Sequence, residues 1–166
     1  MDDLDEFENG FLSQLRQDER FMALALAEAR LAAEEGETPV GAVAVRDGQI
    51  IGRGHNRVEA LSDPTAHAEI LCIGAACAQG ENWRLVGVTL YVTMEPCTMC
   101  AGALLLARLS RVVYGTRDLR AGACGSALDV VQANPLGHDM EMSDGCLETE
   151  CRGLLQEFYQ RLRRDR

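Results

Sequence analysis

A chain of 166 residues, 47% hydrophobic and 25% charged, can bury one real core and is too short for two ordinary domains. That excludes a disordered chain and a string of modules. A formal net charge of −10 opposes non-specific attraction to phosphate, so any nucleic-acid contact has to rest on a local basic patch. The sequence contains no lysine, and every basic residue is an arginine, the side chain that forks onto phosphate and stacks on bases. Seven cysteines, an odd number without the spacing of a disulfide scaffold, predict reduced thiols or metal ligands. The first residues show no basic and apolar signal pattern, and the longest apolar run, around 101–107, falls far short of the roughly 20 residues that span a bilayer. A cytoplasmic protein without a membrane partner is expected.

Residues 1–17 read as an acidic, flexible extension, frayed over 1–10, and residues 18–166 as a single domain. From Arg20, the steps between Met22, Leu26, Ala29 and Ala33 predict a helix to about 35, stopped by Gly36. The β-prone run 40–45, the Asp47-Gly48 pair and Ile50-Ile51 predict a hairpin. A polar loop over 55–63 follows, and Asp63-Pro64-Thr65 reads as an N-cap with proline in the first helical position, opening a helix that ends at Gly80. A strand over 89–93 stops at Glu95-Pro96, and a helix opens at Cys97 and runs to about 108. A strand over 111–114 leads into a glycine-containing loop over 115–126. From Leu147, the stripe Cys151, Leu154, Leu155, Phe158 and Leu162 predicts an amphipathic helix tipped by Arg161, Arg163, Arg164 and Arg166. Strands alternating with helices imply a three-layer α/β domain with a mixed sheet.

Two short segments carry the chemistry: His67-Ala68-Glu69 and Pro96-Cys97-Thr98-Met99-Cys100, each in the first turn of a predicted helix. Cysteines three apart share a helix face, so both thiolates and the His67 imidazole can hold one zinc ion and leave its fourth position to water. An open fourth position separates a catalytic zinc from a structural one. Two helix N-termini aimed at the site would favour thiolate, and Glu69 supplies the base that a thiolate-softened ion needs to take a proton from water. A lone C-x-x-C serves equally well as half of a structural site or as a redox pair, but no second such pair completes a closed set here. H-x-E followed by P-C-x-x-C is the signature of the zinc nucleobase deaminases, in which zinc-activated water attacks the ring carbon bearing the amine while the glutamate shuttles protons.

The sequence resembles the bacterial tRNA-specific adenosine deaminases, within the cytidine-deaminase-like superfamily, over about residues 18–164. The resemblance rests on the segments 39–43, His55-Asn56-Arg57, 63–70, 94–103, Gly115-Thr116-Arg117-Asp118, 122–126 and Asp129-Val130, of which the stretch 117–130 marks the tRNA branch. It implies a three-layer α/β/α cytidine deaminase-like fold around a mixed five-stranded sheet, one zinc per subunit, and a homodimer. It also implies conversion of the wobble adenosine of an arginine tRNA to inosine, with the base flipped out of the anticodon stem-loop. By the same resemblance Asn56 hydrogen-bonds the base, the Ala68 amide meets its reacting edge, Asp118 contacts the neighbouring nucleotide, and Phe158 or Tyr159 lies near a loop base. Tyr159 stands where that family usually has phenylalanine.

The zinc motif is shared with guanine, cytosine and deoxycytidylate deaminases, so a free-base or nucleotide substrate is the main competing expectation, favoured by the acidic balance. A non-catalytic zinc module that binds RNA, and a redox cysteine pair, are more distant ones.

Overall fold

Alternation along the strands divides the molecule into layers. In β1 (Gly41–Arg46), Ala42 and Ala44 enter one core while Val43 and Val45 enter the other, and in β3 (Val88–Met94) Leu90 and Val92 part from Tyr91 in the same way. β4 (Arg111–Thr116) follows suit, with Val112 and Tyr114 opposite Val113. With β2 (Gln49–His55) and β5 (Glu141–Ser143) these strands form one sheet in the order β2-β1-β3-β4-β5. β1 is antiparallel to both β2 and β3, whereas β3–β4 and β4–β5 are parallel. The computed structural model describes residues 3–134 and 136–165, with side chains from residue 8 onward.

Helices α1 (Asp3–Glu34) and α6 (Glu148–Arg164) cover one face. The other face carries α3 (Ala68–Gly80), α4 (Thr98–Leu106) and the short α5 (Val130–Ala133), and the single-turn α2 (Val58–Leu61) lies in the β2–α3 connection. This is the expected three-layer arrangement on a mixed five-stranded sheet. No helix among the described residues is long and apolar enough to cross a membrane.

The predicted hairpin is present, its turn made by Asp47 and Gly48, both at positive φ, with a bulge between Ala44 and Val45. β2 continues past Ile51 to His55 through Gly52 and Gly54, glycines that do not break the strand but let a helix come close. A Cβ on Gly54 would lie 2.6 Å from the Ala68 carbonyl oxygen and the Cys72 nitrogen. α3 therefore lies flat on β2, which sets the height of its N-terminus above the sheet.

Two further boundaries and one strand differ from the sequence expectation. α1 begins at Asp3, well before Arg20, in one unbroken helix. Residues 8–17 are exposed on every side and carry no burial stripe to reveal them, so helix-favouring residues extend the docked half by propagation. α3 begins at Ala68, not at Asp63, because Asp63 Oδ1 accepts the Thr65 backbone N–H at 2.8 Å and closes a side-chain turn. β5 is absent from the sequence reading, since a three-residue parallel strand has no periodicity to detect. Of the predicted basic tip, Arg161, Arg163 and Arg164 sit in the last turn of α6, and Arg166 lies outside the described residues.

Candidate active site

His67 and Cys97 are the N-cap residues of α3 and α4, each in extended backbone with its carbonyl accepting the first helical bond, from Leu71 and Ala101. Both helix N-termini therefore converge on one point at the sheet's upper edge. There His67 Nδ1 is 3.7 Å from Cys97 Sγ and 3.5 Å from Cys100 Sγ, and all three donor atoms lie within 4.8 Å of one another. Zinc bonds of about 2.3 Å to sulfur and about 2.0–2.1 Å to nitrogen at a tetrahedral angle require an N···S separation of about 3.6 Å. The three side chains thus fit one tetrahedral ion as they stand. Among the described residues this is the only such cluster, and no fourth histidine, cysteine or carboxylate joins it.

A hydrogen bond from Cys100 pulls Cys97 down to about 5, helped by backbone N–H groups and by His67, while the same bond and burial push Cys100 far up. Zinc binds cysteine as thiolate, so a cation entering the cradle displaces the thiol protons. Glu69, in the first turn of α3 and only 4% exposed, lies against Cys100. Burial pushes its carboxyl up to about 7, outweighing the pull of its own backbone N–H and of His67. A carboxyl poised near neutrality can both take and return a proton.

The site opens into a cleft of about 570 Å³ whose walls include Asn56, Ala68, Asp118 and Tyr159 together with His67, Glu69 and Cys97. Every candidate read from the sequence except Cys100, sealed beneath, lines this one space. On α6, Phe158 is a buried residue of the cleft lining and Tyr159, 46% exposed, stands edge-on to it with ring centroids 5.5 Å apart, so Tyr159 is the ring free to stack.

Two carboxylates at the cleft were not singled out from the sequence. Glu95, 3% exposed, accepts the backbone N–H groups of Asp118 and Cys124 at 3.0 Å and of Ser126 at 3.1 Å, stitching the loop that carries Asp118 to the end of β3. Glu37, 1% exposed, accepts Asn56 Nδ2–H at 3.0 Å and the Ala60 backbone N–H at 2.8 Å. The only sequence sign of Glu95 was its place beside Pro96, which precedes the candidate zinc ligand Cys97, and Glu37 gave none.

A three-donor zinc cradle, a neutral-range carboxyl and an adjoining cleft on a mixed α/β/α sheet define a hydrolytic zinc site. Residues 15–116 match the family model of the cytidine and deoxycytidylate deaminase zinc-binding region. A tRNA-specific adenosine deaminase of Bacillus subtilis (strain 168) is 46% identical over 150 residues, covering 90% of this chain and 93% of the relative. A structure solved in a study of A-to-I editing by tRNA:A34 deaminases superposes with a TM-score of 0.76 at 45% identity, covering 82% of this chain and 99% of that one. A guanine deaminase from Bacillus subtilis is more distant, with 38% identity, a TM-score of 0.57, and coverage of 73% and 70%. The chain belongs to the zinc-dependent deaminase family, in the branch of the tRNA-specific adenosine deaminases.

Proposed function

We propose that this protein hydrolyses the wobble adenosine of a tRNA, an arginine tRNA by family resemblance, to inosine and ammonia. The observation that carries the reading is the tripod of His67, Cys97 and Cys100 beside the buried Glu69, at the base of a cleft. His67, Cys97 and Cys100 hold one zinc per subunit. Zinc held there would supply the Lewis acidity that makes a water molecule a nucleophile near neutral pH.

Glu69 takes a proton from that water, passes it to the ring nitrogen beside the reacting carbon, and carries the second proton to the departing amine. Adenosine and water enter, and inosine and ammonia leave, with every proton accounted for by one carboxyl. The Ala68 backbone N–H, exposed by the α3 N-terminus, donates to the reacting edge of the base, and Asn56 hydrogen-bonds the base from the opposite wall. Asp118 contacts the neighbouring nucleotide, and Tyr159 stacks on a loop base. Arg161, Arg163 and Arg164 form the local basic patch that the overall charge of −10 makes necessary for an anticodon stem. Residues 18–166 form the deaminase domain and 1–17 an extension from it, and the protein works as a cytoplasmic homodimer.

Zinc-loaded protein is incubated with an anticodon stem-loop and, separately, with free guanine, cytosine and adenosine, with and without a chelator. Inosine in the stem-loop, abolished by the chelator, is the expected result. Turnover of a free base alone would overturn the tRNA substrate in favour of the guanine or cytosine reaction. Turnover of none would leave a zinc module without catalysis.

A further inference from the structure

We infer that Glu37 is a positioning residue that locks the Asn56 side chain in one of its two amide orientations, and so sets the hydrogen-bonding pattern that the cleft offers to a base. This rests on the reading of Asn56 as a base contact. A carboxylate only accepts, so the half of the Asn56 amide facing Glu37 Oε2 at 3.0 Å has to be the NH₂ group. The other Glu37 oxygen is taken by the Ala60 N–H at 2.8 Å, which stops the carboxylate from turning away. The Asn56 backbone N–H donates to the Val40 carbonyl at 3.0 Å and pins the main chain.

Asn56 Oδ1 has no protein partner among the described residues, is not a sealed buried atom, and belongs to a residue lining the cleft. The amide therefore presents one acceptor and one remaining N–H donor. That pair complements a base edge that carries an acceptor beside a donor. An edge with two acceptors would set oxygen against oxygen. An asparagine free to flip reads either pattern, and a buried acid behind it removes the choice.

Glu37→Gln supplies one oxygen where two N–H groups ask for one each. If that oxygen serves Ala60, the new NH₂ faces Asn56 and turns the amide over. The experiment compares full-length zinc-loaded wild type, E37Q, N56A and the double variant. It reads zinc content, melting temperature, kcat and KM on the anticodon stem-loop, and the side-chain amide resonances of Asn56, assigned by their loss in N56A.

In wild type one Asn56 Nδ2 proton is expected to be shifted downfield and protected from exchange, and E37Q loses that signature. E37Q lowers kcat/KM roughly ten- to a hundredfold, the worth of one bidentate base contact, with zinc retained. The double variant is no slower than N56A, because Glu37 acts through Asn56. An unchanged amide signal in E37Q, or losses that multiply in the double variant, would overturn the inference. Should E37Q not fold, the wild-type resonances decide: two freely exchanging protons refute the lock. If wild type turns over no stem-loop, the substrate reading fails while the amide signature still settles the role of Glu37.

Discussion

Replacing Asp18 by asparagine tests how the sheet holds α1. Asp18 is buried, and its carboxylate accepts two bonds from the Arg111 guanidinium at 2.8 Å, one from the Tyr91 hydroxyl at 2.9 Å and one from Gln14 at 2.9 Å. Asparagine keeps the volume but turns an NH₂ toward a donor and leaves a half-buried guanidinium without its counter-charge. Removing one partner of a buried pair costs about 3–5 kcal/mol, and the low end applies because Arg111 keeps Ser143 Oγ at 3.0 Å and some solvent. At about 2–4 °C per kcal/mol for a chain of this size, about 3 kcal/mol lowers the melting temperature by about 6–12 °C. Burial raises the Asp18 carboxyl, but the bonds from Arg111, Gln14 and Tyr91 outweigh it and hold it below its ordinary value. The pair's contribution is therefore complete above the unfolded-state pKa of about 3.9 and is lost as pH falls through the lower folded-state value. Thermal unfolding followed by circular dichroism from pH 7 to pH 2.5 should show a constant gap between wild type and D18N down to about pH 4, closing below it. A gap under about 1 kcal/mol at pH 7, or one that widens in acid, would refute the reasoning.

Glu69→Gln keeps the shape and removes the base, so kcat should fall by about 10² to 10⁴-fold or more while zinc content stays at one per chain. Cys97→Ala removes a ligand, and metal analysis should find the site unable to retain zinc through dialysis, with activity lost in parallel. Gly122→Ala would place a Cβ 2.4 Å from Glu95 Cδ and 2.5 Å from the Asp118 carbonyl oxygen. Overpacking of this kind costs about 1–3 kcal/mol, here spent in lifting the 117–126 loop, so KM for the stem-loop should rise about tenfold or more with zinc unaffected.

The candidate zinc cradle of His67, Cys97 and Cys100 was legible because its chemistry is local: a C-x-x-C pair at a helix start and an H-x-E at another have few other uses in combination. The Asp47-Gly48 hairpin was legible for the same reason, since two successive residues at positive φ demand particular side chains. The N-terminal turns of α1, fully exposed over 8–17, escaped a reading that searches for burial stripes. The start of α3 was misplaced by an Asp-Pro pair whose aspartate caps a turn and not the helix.

The residue types and spacings along the chain sufficed to say which atoms can hold an ion and that strands and helices alternate. Only the folded chain decided the strand order, the pairing of Asp18 with Arg111 across 93 positions, and the two buried glutamates that brace Asn56 and the Asp118 loop. The reason is physical: Glu95 bonds only to backbone N–H groups, which every residue but proline carries, and Glu37 bonds to one more of these and to an asparagine 19 positions away. Such acceptors gain their roles from where the fold sets their donors, and a one-dimensional pattern holds no record of that.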